Sequence, residues 1–415
     1  MKEAPLFTND AVVLGILFVI LALVFQTSAS DRPFWKKFYT YVPSVLLCYF
    51  IPGLLNTFNI ISGEESQLYF VSSCYLLPAS LILFTLGIDI QAIIKLGSKA
   101  VIMFFAGTVG IILGGPLAIL VVSVFSPETV GGAGPDAVWR GMTTIAGSWI
   151  GGGANQTAMK EVFGVGDTIF PAVLAVDIIV ANVWLGVLLY GSGRAEKIDR
   201  FFKADGSAIA DVRRKIEDYA SNMAKIPTTA DLMLILAIAF GLTGFSHFCA
   251  DWIAPFLAEN YPFLEQFSLT SGFFWIVVIA TAGGLVMSFT KLRTLEGAGS
   301  SKIATLFLYV LIASIGMEMD IAAVVNSPGL FVVGLIWITF HILVMFVVAK
   351  AIRAPFFFIA VGSQANVGGA ASAPVVASAF SPSLAPVGVL LAVLGYFVGT
   401  YGAYLCGLLM QAVAP

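Results

Sequence analysis

The sequence predicts an all-α polytopic membrane protein built from two inverted repeats, each with about five transmembrane helices and a re-entrant or broken helix segment. Of the 415 residues, 59% are hydrophobic and 11% are charged, and the mean hydropathy is +0.96. Soluble domains carry roughly 25% charged residues, so this composition is typical of a chain that crosses a bilayer many times. Two glycine-rich polar stretches, 147–155 (GSWIGGGAN) and 362–370 (GSQANVGGA), interrupt the apolar sequence at matching places of the two halves.

Ten stretches of mostly apolar residues reach about 18 residues or more, the length that spans roughly 30 Å of hydrocarbon. They are 11–27, 40–58, 69–89, 99–125, 167–190, 229–248, 271–290, 302–320, 329–350 and 384–412. Two further segments, 139–163 and 355–380, are long enough to enter the membrane but carry glycine, serine and asparagine at their centres. A polar stretch at 191–228 separates a first membrane repeat, 1–190, from a second, 229–415. Its apolar positions predict either an amphipathic helix or a solvated linker helix.

The two halves resemble each other in the order of their features. Gly87-Ile-Asp-Ile90 matches Gly316-Met-Glu-Met319 at an offset of 229 residues. Gly147-Ser148 matches Gly362-Ser363 at an offset of 215, and an extra loop in the first half accounts for the shift. This order predicts an internal repeat.

Positive charges near the span ends predict the topology, because Lys and Arg prefer the cytoplasmic side. If segment 139–163 crossed the membrane, the next span would deliver the strongly basic linker to the outside. A re-entrant hairpin instead leaves every basic cluster inside, except Arg140 and Lys160, and places both termini outside. It also makes the repeats inverted, with the two hairpins entering from opposite faces. The alternative is a pair of broken helices that cross, as in cation/proton antiporters.

The glycine-rich tips predict a binding site for a small polar solute. Irregular backbone persists at membrane depth only where it lines a protein-buried or watery cavity. Packing of helices through small residues would explain the glycines but not the amides. The predicted substrate-binding residues are Ser148, Asn155, Gln156 and Thr157 on the first tip and Ser363, Gln364, Asn366 and Ser372 on the second.

Asp177 lies within an apolar span without a basic neighbour in sequence. An ionised carboxylate there needs a cation, a partner or a proton, which predicts a cation-coupling site at Asp177 and Asn182. The alternative is a neutral, hydrogen-bonded Asp that fixes helix packing. Asn182, five residues further on, faces another side of an ideal helix, so the two side chains need not share a site. We expect Asp89 and Glu318 to cap helices or make interface contacts at the ends of their spans. We expect His341 to be a buried histidine whose hydrogen bonds are made within the protein.

Several function classes are disfavoured by the sequence. A net charge of −3 gives no reason to expect nucleic acid as a partner, and the four cysteines and two histidines lack the spacing of a metal or redox site. The apolar spans offer no catalytic Ser–His, paired-Asp or His–Glu constellation, which disfavours an intramembrane enzyme. A channel would need a ring-forming filter motif, and ATP use would need a phosphate-binding loop.

The two motifs resemble those of the domain-of-unknown-function 819 family of bacterial and plastid membrane proteins. The resemblance is carried by Gly147-Ser-x-x-Gly-Gly-x-Ala-Asn155 and Ser363-Gln-Ala-Asn-Val-Gly-Gly-x-Ala371-Ser-Ala-Pro374. By layout the chain is also similar to inverted-repeat carriers with paired hairpins, including sodium:glutamate and 2-hydroxycarboxylate symporters. That resemblance implies a dimeric carrier with a mobile hairpin domain, and it does not name the cargo.

Together these features predict a cation-coupled secondary transporter of a small polar or anionic organic metabolite, with elevator-like alternating access. Its expected coupling ion is Na⁺ or H⁺, with no other cofactor. The expected location is the bacterial inner membrane, where the partners are lipids, the substrate and a second copy of the chain. The alternative is a cation/proton antiporter with crossed broken helices and no organic substrate.

Overall fold

The chain is helical almost throughout. The computed structural model describes residues 5–42, 44–63, 66–204, 209, 226–267, 269–318, 328–381 and 384–415. Within these ranges the secondary structure is helix and turn, apart from one isolated β-bridge between Phe7 and Ile61. In hydrocarbon a helix satisfies its backbone groups within its own segment, which is why apolar spans adopt this form. The predicted all-α polytopic fold is confirmed.

The first half contains ten named helices. They are α1 (Asp10–Ser28), α2 (Pro33–Tyr41), α3 (Ser44–Thr57), α4 (Leu68–Leu86), α5 (Ile90–Lys95), α6 (Ser98–Phe125), α7 (Val138–Gly151), α8 (Gly153–Val162), α9 (Ile169–Ser192) and α10 (Ala195–Phe202). The π-helical turn Ser72–Leu76 lies within α4. The second half contains α11 (Thr229–Asn260), α12 (Gly272–Ser288), α13 (Ser300–Glu318), α14 (Gly329–Ile352), α15 (Phe356–Val367), α16 (Gly369–Phe380) and α17 (Ala385–Val413).

Eight helices among the described residues are long and apolar enough to cross a bilayer. They are α1, α4, α6, α9, α11, α13, α14 and α17. The other two predicted spans, α3 and α12, are helical over 14 and 17 residues. At 1.5 Å per residue α3 is only about 21 Å long, shorter than the predicted stretch 40–58, because α2 ends at Tyr41 and α3 starts afresh at Ser44.

The spans form two groups by their packing. In the hairpin group, α6 packs on α14, α7 packs on α17, and α7, α8, α9, α15 and α16 pack among these helices. In the flanking group, α13 packs on α3 and α4, and α12 packs on α4 and α11, with α1 against α3 and α13. The pairs α3–α13 and α12–α4 are equivalent under exchange of the two halves, as two repeats require. The groups meet where α4 and α12 touch α8 and α17.

The connections between spans gather at two rims. One rim, called the basic rim, holds the connections 29–42, 87–97, 193–204, 289–299 and 353–355. Contacts join these connections: Asp89 caps α5 and pairs with Arg293 at 2.8 Å, and Lys99 donates to the Arg353 carbonyl at 3.4 Å. The opposite rim holds residues 5–9 and the connections 58–63, 66–67, 126–137, 163–168, 261–267 and 269–271. Among the described residues, the Lys and Arg side chains other than Arg140 and Lys160 belong to the basic rim, as expected.

Helix α10, at the start of the polar linker, packs on the base of the second hairpin segment. Phe202 is buried against Phe346, with ring centroids 5.5 Å apart, and the Phe356 N–H donates to Asp199 Oδ1 at 2.6 Å. Burial raises the pKa of Asp199, although the hydrogen bond from Phe356 opposes that shift. The linker residues 205–208 and 210–225 lie outside the described residues, as do 319–327 and the Glu318 side chain, on which part of the repeat prediction rests.

Candidate functional site

The first glycine-rich segment is a helical hairpin. Helices α7 and α8 lie side by side: a Cβ on Gly147 would stand 2.5 Å from the Asn155 carbonyl oxygen. At the other end, the Arg140 guanidinium donates to the Phe163 carbonyl, so both ends of the hairpin lie at the opposite rim. The turn is made at Gly152, whose φ of 77° is a left-handed conformation that favours glycine. A pair of crossing half-helices would separate these ends instead.

The second glycine-rich segment is also a hairpin, with its base at the basic rim. The rings of Phe357 and Phe380, at the two ends of the hairpin, are 5.3 Å apart, and the turn uses Gly369 at φ 58°. A Cβ on Gly369 would lie 3.8 Å from the Gly152 Cα. The two hairpins therefore reach inward from opposite rims and meet at their tips.

Asp177 lies on α9 beside the first tip and is 4% exposed. Its Oδ1 accepts a hydrogen bond from Trp149 Nε1 at 2.6 Å, and its Oδ2 accepts one from Gln156 Nε2 at 2.7 Å. Ser148 lies in the wall of the same cavity as this carboxyl group. An indole N–H can only donate, and an ionised carboxylate only accepts, so this arrangement suits a negatively charged Asp177.

A cavity of ≈ 390 Å³ surrounds this carboxyl group. Both hairpin tips and α9 contribute to its wall, and so do α1, α2, α3 and α13 on the other side. The cavity thus lies between the hairpin group and the flanking group. Its lining residues are Ser28, Tyr39, Ser44, Ser148, Gly153, Gln156, Leu174, Asp177, Ile178, Ala181, Asn182, Leu185, Tyr309, Gln364, Val367, Gly368 and Ser372.

The structure brings six of the predicted site residues together in this wall. They are Ser148, Gln156, Asp177, Asn182, Gln364 and Ser372. Asn182 shares the cavity with Asp177 despite its different helical face, because the cavity extends along α9 from Leu174 to Leu185. The Asn182 amide itself donates to the Ile178 carbonyl at 2.7 Å.

Gln364 has an unusual hydrogen-bonding state. It is 2% exposed, and its Nε2 donates to Ser372 Oγ at 2.7 Å across the second hairpin. Its Oε1 is buried without a hydrogen-bond partner among the described residues. Buried amide oxygens are nearly always paired, so this oxygen is an unsatisfied acceptor in a residue of the cavity wall.

The other four predicted substrate-binding residues do not line the cavity, and their side chains bond to protein. Asn155 bonds to Gly151, Tyr396 and Thr400, and Thr157 donates to the Ala154 carbonyl. Asn366 bonds to Thr108, Phe104 and Gly362, and Ser363 bonds to Trp184 and His341. Buried amides that bridge helices explain these positions without a ligand, which the prediction from residue type could not foresee.

Sequence reasoning missed three residues of the site: Trp149, which is buried and bonds to Asp177, and Tyr39 and Tyr309 of the cavity wall. Trp149 lies inside the first motif, but only folding turns its indole toward Asp177 on another helix. Tyr39 and Tyr309 come from the flanking group, far from either motif in sequence. In the sequence, the only signal for Trp149 is a single tryptophan within a glycine-rich polar stretch. That signal does not indicate which residue its indole would bond to.

The cavity extends toward the basic rim and is closed toward the opposite rim. Ser28 and Ser44, at the ends of α1 and α3 on the basic-rim side, belong to its wall. At the opposite rim Tyr69 of α4 donates to Glu161, and Lys160 Nζ donates to the Tyr69 hydroxyl at 3.0 Å. A second cavity of ≈ 770 Å³ lies at that rim, lined on the hairpin side by Trp139, Arg140 and residues 161–164. The first hairpin thus forms part of the wall of both cavities.

No group of three or more His, Cys, Asp or Glu side chains that could hold a metal ion occurs in the described part of the chain. Among the described lining residues of the inner cavity, Asp177 is the only charged side chain. A monovalent cation, rather than a multivalent metal, matches one carboxylate among neutral oxygens.

Two comparisons with known proteins bear on this arrangement. The model of the family described as "Protein of unknown function (DUF819)" matches residues 15–413. The chain is 24% identical over 349 residues to the "Uncharacterized membrane protein YjcL" of Bacillus subtilis (strain 168), covering 81% of this chain and 82% of that relative. The family match spans both hairpins, α9 and every wall residue of the inner cavity. This multi-pass membrane protein therefore belongs to the DUF819 family.

Proposed function

We propose that this protein is a cation-coupled secondary transporter of a small polar organic metabolite. The observation that carries the proposal is the cavity at the meeting point of two opposed hairpin tips, with a buried carboxyl group in its wall. Broken backbone at membrane depth is typical of transporter binding sites, where half-helix ends and amides face the solute. A volume of ≈ 390 Å³ suits a small metabolite.

Alternating access follows from the position of the first hairpin. The inner cavity leads toward the basic rim, the second cavity lies at the opposite rim, and α7–α8 contributes to both walls. Movement of the hairpin group against the flanking group would transfer the site from one side to the other, as in elevator-like carriers. The structure then corresponds to an inward-facing state, since basic connections prefer the cytoplasm.

The coupling cation binds at Asp177. Trp149 and Gln156 donate to both carboxylate oxygens, which favours the ionised form and hence Na⁺ over a transported proton. The protein acts in the cytoplasmic membrane of a bacterium, a proposal supported by its Bacillus relative. A homodimer through the flanking group would hold that group still, by analogy with carriers of similar layout.

A cation/proton antiporter is the second candidate. It is favoured by the isolation of Asp177 as the only charged side chain among the described wall residues. The amide- and hydroxyl-rich wall supports an organic substrate instead, because a site for ions alone has no need of Gln364 and Ser372.

The thermal stability of the purified protein in detergent tests the proposal. A ligand that binds only the folded state raises the free energy of unfolding, by about 2.7 kcal/mol when its concentration is a hundred times Kd. This stabilisation is measured as a rise in Tm. We expect a sodium-specific rise that K⁺ does not reproduce, a further rise with particular small metabolites, and loss of the sodium response in Asp177→Asn. Asp31→Asn, at a fully exposed aspartate, is the matched control.

Metabolites that raise Tm are then tested for counterflow in proteoliposomes. Accumulation of a labelled metabolite against unlabelled internal metabolite supports a carrier. If Na⁺ raises Tm but no metabolite raises it or exchanges, the antiporter is correct. If folded protein responds to no cation and no metabolite, transport through this cavity is refuted.

A further inference from the structure

We propose that the substrate carries a primary ammonium group and that this group and Na⁺ occupy Asp177 in turn, so that the protein exchanges an amine for sodium. This inference rests on the proposed transport function. It names the substrate class and the mode of coupling of that site.

The first step is the charge of the wall. Among the described lining residues there is one carboxylate, Asp177, and no Lys, Arg or His. A di- or tricarboxylate would enter this cavity without a fixed positive side chain and would face a buried negative charge, which is unfavourable at low dielectric. A cationic group gains from the same charge. Of the predicted small polar or anionic metabolites, the charge of the wall therefore disfavours the anionic ones and favours a polar amine.

The second step is a hydrogen-bond acceptor in the wall that has no donor. Gln364 Oε1 is buried in the same wall without a partner among the described residues, because its own amide N–H is directed at Ser372. An unpaired acceptor is satisfied by a ligand that donates. A primary ammonium has three N–H donors, enough for Asp177 and Gln364 together. Na⁺ can use the same oxygens, whereas a quaternary ammonium has the charge but no N–H donor.

The third step is the number of cations. The single carboxylate in the described wall compensates one positive charge, and a second cation in a buried site would lack a counter-charge. The ammonium group and Na⁺ therefore exclude each other. The site carries the amine across the membrane in one direction and Na⁺ in the other. The two flows are therefore coupled by exchange rather than by co-transport.

Competition in the wild-type protein tests this. The full-length protein in detergent is titrated with NaCl at several fixed concentrations of n-propylammonium chloride, with choline chloride holding the ionic strength constant, and Tm is recorded. We expect both to raise Tm, and the apparent affinity for Na⁺ to fall in proportion to the propylammonium concentration. Tetramethylammonium, alanine and malate are run in parallel. Propylammonium should stabilise most, alanine less, and tetramethylammonium and malate not at all.

Variants then test whether Na⁺ and propylammonium compete at Asp177. Asp177→Asn should lose both responses. Gln364→Met, which keeps the side-chain volume but removes the acceptor, should weaken propylammonium binding by about tenfold, the scale of one charge-assisted hydrogen bond, and change Na⁺ binding less. Gln91→Met, the same substitution on the exposed surface, should change neither.

The outcomes separate the inference from the proposed function. Additive stabilisation by Na⁺ and propylammonium would mean separate sites and overturn exchange at Asp177, while transport would stand. Sodium-dependent stabilisation by malate, without any by propylammonium, would overturn the amine class and again leave a transporter. If neither cation affects Tm and no solute shows counterflow, the inference and the proposed function both fail.

Discussion

Individual buried polar residues in the hairpins divide into those that bind protein and those that face the cavity. Trp184 Nε1 donates to Ser363 Oγ at 2.8 Å, and that hydroxyl lies 2.7 Å from His341 Nε2. The other ring nitrogen, Nδ1, lies 3.0 Å from the Gly107 carbonyl oxygen, so both nitrogens of this fully buried ring have hydrogen-bond partners, and a neutral imidazole satisfies both contacts. His341 is thus neutral and satisfied, as expected. Gln156 and Gln364, by contrast, lie in the cavity wall, and their amide groups donate to two other wall residues, Asp177 and Ser372.

Replacement of Asn155 tests this division. In Asn155→Ala the Tyr396 carbonyl and the Thr400 hydroxyl each lose a hydrogen bond between α8 and α17, and a typical buried hydrogen bond contributes about 0.5–1.5 kcal/mol. We expect a clear fall in Tm in detergent, with the ligand-induced rise in Tm preserved. Asn260→Ala, at the exposed end of α11, should leave Tm nearly unchanged. If Asn155→Ala instead removed the sodium or substrate response at unchanged Tm, Asn155 would be a binding residue.

The hairpins owe their shape to glycines that allow their helices to touch. Gly147 faces the backbone of Asn155, and on the neighbouring helix a Cβ on Gly399 would stand 2.5 Å from the Gly151 Cα. Such contacts bring three helix backbones together near the first tip. The polar residues of the tip can then reach Asp177 on α9. The glycine-rich motif thus combines two functions, close packing on one side and a cavity wall on the other.

A methyl group at Gly147 should disturb the first hairpin. In Gly147→Ala the added Cβ meets backbone atoms that cannot rotate away, and such overpacking costs typically about 1–3 kcal/mol. We expect a lower Tm and weaker sodium and substrate responses, since the tip positions Gln156. In Gly241→Ala the new methyl has no atom within 4 Å, so that variant should be as stable as the wild type or slightly more stable. Equal stability of the two variants would contradict the tight hairpin.

At the scale of the whole molecule, two groups of helices meet around a cavity that leads to one rim. At the opposite rim the Tyr69 hydroxyl joins α4 of the flanking group to Lys160 and Glu161 at the end of the first hairpin. Lys160 also pairs with Asp167 at 3.0 Å. This cluster bridges the two groups where the proposed transport cycle requires them to separate, so in that cycle it would stabilise the inward-facing arrangement.

Tyr69→Phe should shift the protein toward the outward-facing state. The variant keeps the aromatic ring but loses the hydrogen bonds of the Tyr69 hydroxyl with Lys160 and Glu161. If this destabilises the inward-facing state by about 1 kcal/mol, the ratio of inward-facing to outward-facing protein falls roughly fivefold. The measurement uses a single cysteine at Ser28, after replacement of Cys48, Cys74, Cys249 and Cys406. A membrane-impermeant maleimide should label it more slowly from the cytoplasmic side in the variant. Tyr75→Phe on the same helix is the control, and equal labelling rates in both variants would refute the role of the cluster.

The sequence by itself determined the all-α membrane fold of this protein and the two places where its apolar stretches are interrupted. Hydropathy and charge are properties of local stretches, and the bilayer acts on each stretch separately, so they can be read without the tertiary structure. The family resemblance and the candidate residues Ser148, Gln156, Asp177, Asn182, Gln364 and Ser372 also came from the sequence.

Only the tertiary structure decided which polar residues share a cavity. Asn155 and Gln156 are neighbours of similar type, yet one bonds to α17 and the other to Asp177 on α9. Tyr309 joins the site from α13, which carries neither motif, and Trp149 of the first motif bonds to Asp177 on α9, which lies outside both motifs. The reason is physical: hydrogen-bond pairing depends on distances between helices, which are set by the packing of both halves rather than by the local sequence.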